Sequence, residues 1–528
     1  MTSVQGVSPS GGPSVVSGAN GKANGNGATK VKVNGIGHKG APWAIRPRSG
    51  PGGQVLEVVL APGLVLPAGR LLARSVDDAS LTGGYLAQVA LHELIGTVGP
   101  MVWSDGQFLA YSAGVFRPVT STALRTRLSA LHGRPLSGSV KDKRRITITQ
   151  RVIGDTLGCL RDLLAEPTQQ VFTGQPSGVA FRDVFVKIDG GQVVVVPHSP
   201  LNGARMWVDA LYDPQARCPK FERFLDGVLR PSDHEDGVVN PVAETQAKKT
   251  LLWEWLGVAL AGRACDLGKA LLLSGFGGTG KSTLLQIMRA FWPPDLVSAV
   301  PLHALEHAYD RAVLAGKMLN VCGELPSADA DAVETAKAMI TGKDLVEARH
   351  PYERPFSFLP RAAHLMAANR LPFIGDYSGA FFERFVILNM TQKFRGAIHE
   401  DLEIADRIVE DELGAIASRA LQAAVKPITA RRYTTPPSSR TAVSAWQNTS
   451  DSTRAWAELN LRQAAGPHEG TYASELYGAY ATWATFGGYR PMAANKFSAH
   501  LRAAGHTSQR TQNGNRFNVV ILDKGTKF

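Results

Sequence analysis

Gly275-Phe276-Gly277-Gly278-Thr279-Gly280-Lys281-Ser282 matches the pattern GxxxxGK[ST]. Residues of these types at this spacing suit a nucleoside triphosphate. Glycines let successive backbone N–H groups turn inward around phosphate oxygens, where a Cβ would intrude. A helix opening at the lysine adds the positive end of its dipole. The Lys281 ammonium reaches the β- and γ-phosphates, and the Ser282 hydroxyl is a ligand for Mg²⁺. The nucleotide-binding candidates are Gly275, Gly277, Gly278, Thr279, Gly280, Lys281, Ser282 and Thr283.

Hydrolysis needs further groups. Residues 316–324, GKMLNVCGE, form a short apolar run ending in an acid. A parallel sheet places there the carboxylate that polarises water or supports Mg²⁺. A single acid, Glu324, stands after Gly323, so one carboxylate serves both roles or a nearby Asp helps. A second apolar run, residues 362–368, ends at Asn369. Its neutral amide can hydrogen-bond a γ-phosphate or an attacking water without adding negative charge. In Phe381-Phe382-Glu383-Arg384-Phe385-Val386-Ile387-Leu388 an arginine enters a strand. An arginine delivered to a neighbouring subunit's γ-phosphate stabilises transition-state charge, an effect of about 10³–10⁵ in rate. The plainer readings are an Asn that closes a strand and an Arg384 in a surface ion pair with Glu383.

These groups require elements to hold them. The apolar run of residues 269–273 has the character of a strand buried on both faces of a parallel sheet, followed by loop and helix. Residues 241–263 read as an amphipathic helix, with Pro241 at the start, Gly262 near the end, and Trp253 and Trp255 as core. Further upstream, residues 52–66 are strand-like and residues 83–98 have helical apolar spacing. Residues 102–119 alternate as a hairpin or meander around Asp105-Gly106 and residues 112–114. A basic turn leads into a helix near residue 150, and paired strands flank Asp189-Gly190-Gly191. Residues 53–240 therefore read as one mixed α/β domain, with Asp233-His234-Glu235-Asp236 as a solvated acidic loop after Pro231.

Among 528 residues, 44% are hydrophobic and 19% charged, which excludes a wholly disordered chain, a collagen-like fibre and a coiled-coil rod. No run of about 18 uncharged apolar residues suggests a membrane span, and the N-terminal residues lack the apolar stretch of a secretory signal. The four cysteines, Cys159, Cys218, Cys265 and Cys322, lie far apart with no CxxC, which argues against a zinc ribbon or disulfide scaffold and fits a reducing cytoplasm. The net charge of +12 is uneven. Residues 1–50 carry six Lys/Arg and no acid, and residues 431–528 carry twelve against five. Basic ends point to a polyanion, foremost nucleic acid, with solubility as the plainer role. Residues 1–52, rich in Gly, Ser, Asn and Pro, read as a disordered basic tail.

The order and spacing of residues 275–384 resemble superfamily 3 DNA helicases, most closely the primase–helicases of bacteriophages, plasmids and poxviruses. The resemblance also covers residues 337–350, KAMITGKDLVEARH, which leads in that family into a hairpin whose basic tip lines a central DNA channel. It nominates Lys337, Arg349, His350 and Arg354 for DNA contact, the alternative being a solvated basic loop. Arg384 resembles the family's trans-acting finger. Residues 108–119, 179–190 and 218–229 resemble the domain preceding such helicases, and residues 473–522 resemble its C-terminal winged-helix module. That last module also reads unaided as helices over 472–486 (Leu476, Tyr480 and Trp483 on one face) and 493–504 (Phe497, Leu501), then a wing carrying Arg510 and Arg516.

The implied fold is α/β: a P-loop AAA+-like core over 241–425, a preceding mixed domain over 53–240, a linker over 426–450 and a winged helix over 451–528. The implied protein is a ring-forming, hexameric, ATP- and Mg²⁺-dependent replicative helicase on single-stranded and forked DNA, with 3′→5′ polarity and a separate primase or polymerase as partner. Too few residues precede the resemblance for a primase domain, so no primase activity is expected. Rival readings are a replication initiator whose ATPase only switches assembly, a DNA-packaging or transfer motor, and a transcriptional regulator.

Overall fold

The computed structural model describes residues 44–50, 53–61, 64–71, 100–134, 145–165, 172, 178–232, 235–324, 330–372, 374, 379–394, 401, 403–450, 452–466, 469–486 and 491–522. The expected helix over 83–98 and residues 1–43 of the expected tail lie outside them. The described residues form a mixed α/β protein whose largest sheet is parallel.

Strands β1 (Ala44–Gly50), β2 (Gly53–Ala61) and β3 (Leu64–Leu71) form an antiparallel sheet in that order. Residues 44–50 are thus strand rather than tail. β1 draws its ladder bonds from β2, with Ala44 opposite Val59 and Gly50 opposite Gly53, a partner that local composition does not reveal.

A meander follows: β4 (Met101–Ser104), β5 (Gln107–Ser112) and β6 (Val115–Val119). Helices α1 (Ser121–Ser129) and α2 (Gln150–Leu163) begin at Thr120 and Thr149, whose hydroxyls accept the N–H groups of Ala123 and Val152. Val102, Leu109, Phe116, Leu124, Ile153 and Leu160 share its core.

The next sheet has the order β10 (Met206–Trp207), β7 (Gly178–Ala180), β8 (Phe185–Asp189), β9 (Gln192–Val196), followed by α3 (Pro219–Val228). Its core is continuous with the next unit: Val186, Phe221 and Leu225 pack in one cluster with Leu251, Leu271 and Leu421. Residue 240 is therefore no core boundary. Arg205 adds a buried strut, donating to Asp105 Oδ2 (2.8 Å) and to the carbonyl of Gly316 (3.0 Å).

Helix α4 (Pro241–Leu260) is capped by the Asn240 side chain. It is not amphipathic, for residues 251–260 are buried on every face. A short helix, α5 (Ala264–Leu267), leads to β11 (Ala270–Ser274) and α6 (Lys281–Arg289). Then come β12 (Val297–Ser298), α7 (Ala308–Val313), β13 (Leu319–Cys322) and α8 (Ala330–Thr341). Next are the antiparallel pair β14 (Val346–Ala348) and β15 (Phe356–Phe358), then β16 (Ala363–Ala368) and β17 (Phe385–Asn389). The parallel sheet has the order β12-β13-β16-β11-β17.

Helix α9 (Ile404–Ala430) lies along α4, and Gly257 lets the backbones meet, because a Cβ there would collide with the carbonyl of Ala420. Helix α10 (Pro437–Ser450) inserts Trp446 among Phe381, Phe382 and Phe385, at ring separations of 5.1–5.8 Å. Residues 426–430 therefore end α9 and residues 437–450 form α10, which packs Trp446 into the core, so 426–450 is not simply a linker.

The C-terminal unit comprises α11 (Ser452–Asn460), β18 (Leu461–Gln463), β19 (Thr471–Tyr472), α12 (Ala473–Phe486), α13 (Ala494–Ala503), β20 (Ser508–Thr511), β21 (Gly514–Phe517) and β22 (Val519–Ile521). Trp456, Leu476, Tyr480, Phe497 and Leu501 fill its core, with Trp483 packed at the edge. Among the described residues no helix is long and apolar enough to cross a membrane, and all four cysteines are free.

Candidate functional site

The glycine-rich segment leaves β11 at Ser274 and enters α6 at Lys281. Gly275 donates to the carbonyl of Ala368 (3.2 Å), and a Cβ on it would collide with the carbonyl of Met390. Gly280 caps the helix in the left-handed region (φ 87°) and offers the first turn no side-chain oxygen. The leading N–H groups of α6 therefore face outward without a capping side chain, as an anion site requires. The Lys281 Nζ donates to the carbonyls of Gly275 (2.6 Å) and Phe276 (2.7 Å), and burial lowers its pKa. Thr279 is buried and donates to the carbonyl of Phe276 (3.0 Å). Ser282 is exposed and Thr283 half-buried on the first turn. Gly277 and Gly278 lie in the turn itself, beside residues 390–394, for Phe394 donates to the carbonyl of Gly278 (2.8 Å).

Glu324 and Asn369 lie at the same sheet edge. β16 stands between β13 and β11, with Cys322 opposite Met366 and Ser274 opposite Ala368. Asn369 follows Ala368 directly, beside Gly275, and Glu324 lies two residues beyond Cys322; both are exposed. The Cys322 thiol donates to the carbonyl of Glu324 (2.6 Å), and burial raises its pKa. A crevice beyond the carboxyl ends of parallel strands is where such sheets take ligands. The hydroxyl of Ser282 and the carboxylate of Glu324 are hard oxygen donors, fitting a small cation that also takes phosphate oxygens and water. Among the described residues no group of three or more His, Cys, Asp or Glu gathers to hold a metal unaided.

Arg384 lies at the opposite edge, where Phe385 begins β17 opposite Ala270. It makes no ion pair among the described residues and lies close to Gly268, as does Thr341 at the end of α8. Lys269 beside it donates to the carbonyl of Glu383. Burial lowers the pKa of Lys269, Glu383 opposes that, and the Arg384 charge reinforces it.

The antiparallel pair β14–β15 projects Arg349 and Arg354 as exposed side chains. The His350 ring instead stacks on Phe356 (centroids 5.2 Å, 22°). Lys337 is not at this tip: it lies on α8, mostly buried, paired with Glu334 at 2.6 Å. Arg510 is exposed on β20, whereas Arg516 on β21 donates to the carbonyl of Gly470 (2.7 Å) and lies over the Tyr472 ring.

One brace escapes the sequence. Glu235, expected to be solvated, is 3% exposed and pairs with Lys248, 0% exposed, at 2.7 Å. Lys248 also donates to the carbonyl of Asn389 (3.0 Å), and Thr391 to Glu235 (3.1 Å). The strand end flanking the glycine-rich loop is thereby tied to α4. The neighbouring Asp236 is exposed, and Asp233 and His234 lie outside the described residues. No distinct signal marks it in the sequence, because Lys248 stands beside Lys249 with Glu244 and Glu254 on the same helix.

Residues 273–384 match DUF5906, described as a family of unknown function. No curated protein matches the chain. Among solved structures, the chain is similar to "The apo structure of NrS-1 C terminal region (305-718)", at 11% identity and TM-score 0.43, covering 84% of this chain and 100% of that one. A second, "The A form apo structure of NrS-1 C terminal region-CTR(305-718)", gives 10% identity and TM-score 0.40, covering 83% and 99%.

Proposed function

We propose that this chain is an ATP-dependent DNA helicase of the superfamily 3 type, with an AAA+-like core and a C-terminal winged-helix module. The observation that carries the reading is the placement of Lys281, Ser282, Glu324 and Asn369 at one edge of the parallel sheet, with Arg384 at the other. The glycine-rich loop would hold ATP with Lys281 toward its outer phosphates, and Ser282 and Glu324 would hold Mg²⁺. Mg²⁺, when bound, neutralises charge developing between the β- and γ-phosphates. Glu324 and Asn369 orient the attacking water, and Arg384 serves the γ-phosphate of the neighbouring subunit. A ring, taken as a hexamer, follows from an arginine that cannot serve its own subunit.

The basic hairpin tip supplies the contact with the strand in the channel, and the β20–β21 hairpin, with exposed Arg510, grips duplex DNA. The test is strand displacement from forked DNA with Mg²⁺ and ATP. The wild type should unwind, and Lys281→Ala should neither hydrolyse ATP nor unwind while keeping its fold. A wild type that hydrolyses ATP and binds DNA without displacing a strand would instead indicate the initiator reading.

A further inference from the structure

At the apex of the β14–β15 hairpin stands a residue that the charge pattern passes over. Tyr352 is fully exposed, so its ring contributes no burial to the fold. Its backbone has φ 63°, in the left-handed region. The Glu353 N–H donates to the carbonyl of His350 (3.1 Å), closing a turn with Pro351 and Tyr352 as its central residues. Proline presets the first central position of such a turn, while a positive φ at the second favours glycine. A tyrosine here is costly to the backbone and unrewarded by packing, a combination that points to a task outside the fold.

The surroundings firmly hold the backbone that carries this ring. The Arg349 N–H donates to the carbonyl of Ala308 (3.1 Å) and Arg311 to that of Glu347 (2.7 Å), fixing the hairpin to α7. The Arg349 Nε reaches across the turn to the carbonyl of Glu353 (3.0 Å). The His350–Phe356 stack stiffens the base of the tip. Two exposed guanidiniums, Arg349 and Arg354, flank the ring, and Glu353 is the one acid in the turn.

We infer that Tyr352 is a stacking platform for a base of single-stranded nucleic acid, its ring covering a base face while Arg349 and Arg354 meet the adjacent phosphates. The inference rests on the hairpin being a nucleic-acid loop, as proposed above. Stacking tolerates every base, because each has a π-face, so it suits a protein that follows a strand without reading it.

The test uses the full chain and an oligonucleotide of dT carrying one 2-aminopurine, with affinity and fluorescence followed across a salt series. Tyr352→Phe should bind within about twofold of the wild type. Tyr352→Gly relieves the backbone and should melt no lower than wild type, yet bind at least about five- to tenfold more weakly and lose the 2-aminopurine quench. The slope of affinity against salt should stay unchanged in Tyr352→Gly and flatten in the Arg349→Ala/Arg354→Ala pair. Weak binding by the arginine pair with wild-type affinity and quench in Tyr352→Gly would overturn the stacking inference alone. Wild-type affinity in all these variants would overturn the hairpin reading and the inference with it.

Discussion

Lys281 and Arg384 stand at opposite edges of one parallel sheet. Ala270 pairs with Phe385 and Ser274 with Asn389, so the strand that delivers the loop before Lys281 begins beside the residue that follows Arg384. About 13 Å of strand separates the two edges, at roughly 3.3 Å per residue. A guanidinium at one edge does not meet a phosphate at the other within a single subunit. If both act on one nucleotide, as proposed, each would find its counterpart in another copy.

That separation sets a complementation test. Lys281→Ala and Arg384→Ala should each be nearly inactive as ATPases, Arg384→Ala still binding nucleotide. Mixed in equal amounts, they should recover roughly a quarter of wild-type turnover, because random assembly pairs an intact lysine with an intact arginine at that share of interfaces. Steady-state ATPase across mixing ratios checks this, and a mixture as inactive as its components would end the assignment of Arg384 to a shared site.

The glycines of the loop are not equivalent. A Cβ on Gly275 would collide with the carbonyl of Met390, which is fixed because the Met390 N–H donates to Ser274 (2.7 Å). A Cβ on Gly277 would meet nothing within 4 Å. Gly275→Ala should cost about 2 kcal/mol or more, whereas Gly277→Ala should stay within about 0.5 kcal/mol. Thermal melting without nucleotide reads the difference, and equal melting temperatures would show that the Met390 segment yields.

Strands β11, β13, β16 and β17 were legible because a strand buried on both faces is a largely apolar run, and each run starts or ends beside residues with chemistry to offer. Their lateral order was not, since nothing local places β16 between β13 and β11. Helix α4 shows the sharper limit. Glu244, Lys248, Lys249 and Glu254 read as a solvated face, yet all four are buried. Their partners, Ser438, Glu235, Asp226 and Thr434, lie 13 to 194 residues away in sequence. A charge neutralised by a distant partner looks, in sequence, identical to one facing water. The linker expected over 426–450 failed in the same way, because the pocket that receives the Trp446 indole is built by Phe381, Phe382 and Phe385.

The Lys248–Glu235 pair makes that point measurable. Removing one partner of a buried pair leaves an uncompensated charge and costs about 3–5 kcal/mol, while replacing both with apolar residues of similar volume is often neutral. Lys248→Met and Glu235→Leu should each lower the melting temperature sharply, and the double substitution should recover most of the loss. Additive losses in the double variant would show that the two charges act independently.

The sheet interior carries a group that should make stability pH-dependent. Asn320 on β13 bonds Ser298 (2.9 Å) and both the N–H and the carbonyl of Val300 (2.9 Å each), and its amide lies 3.4 Å from His364 Nδ1 on β16. Burial pushes the His364 pKa from its ordinary 6.5 down to about 4, against a smaller upward pull from the Met339 carbonyl. The unfolded chain therefore takes up this proton first as pH falls. The contribution of the neutral imidazole is complete above about pH 6.5 and is lost progressively between there and pH 4. The loss at pH 5 relative to pH 7 should be on the order of 2 kcal/mol. In His364→Leu the melting temperature should start lower at pH 7, yet fall less steeply on acidification. An acid slope as steep as the wild type's would assign the effect to other groups and leave His364 a neutral core residue with no titration of consequence.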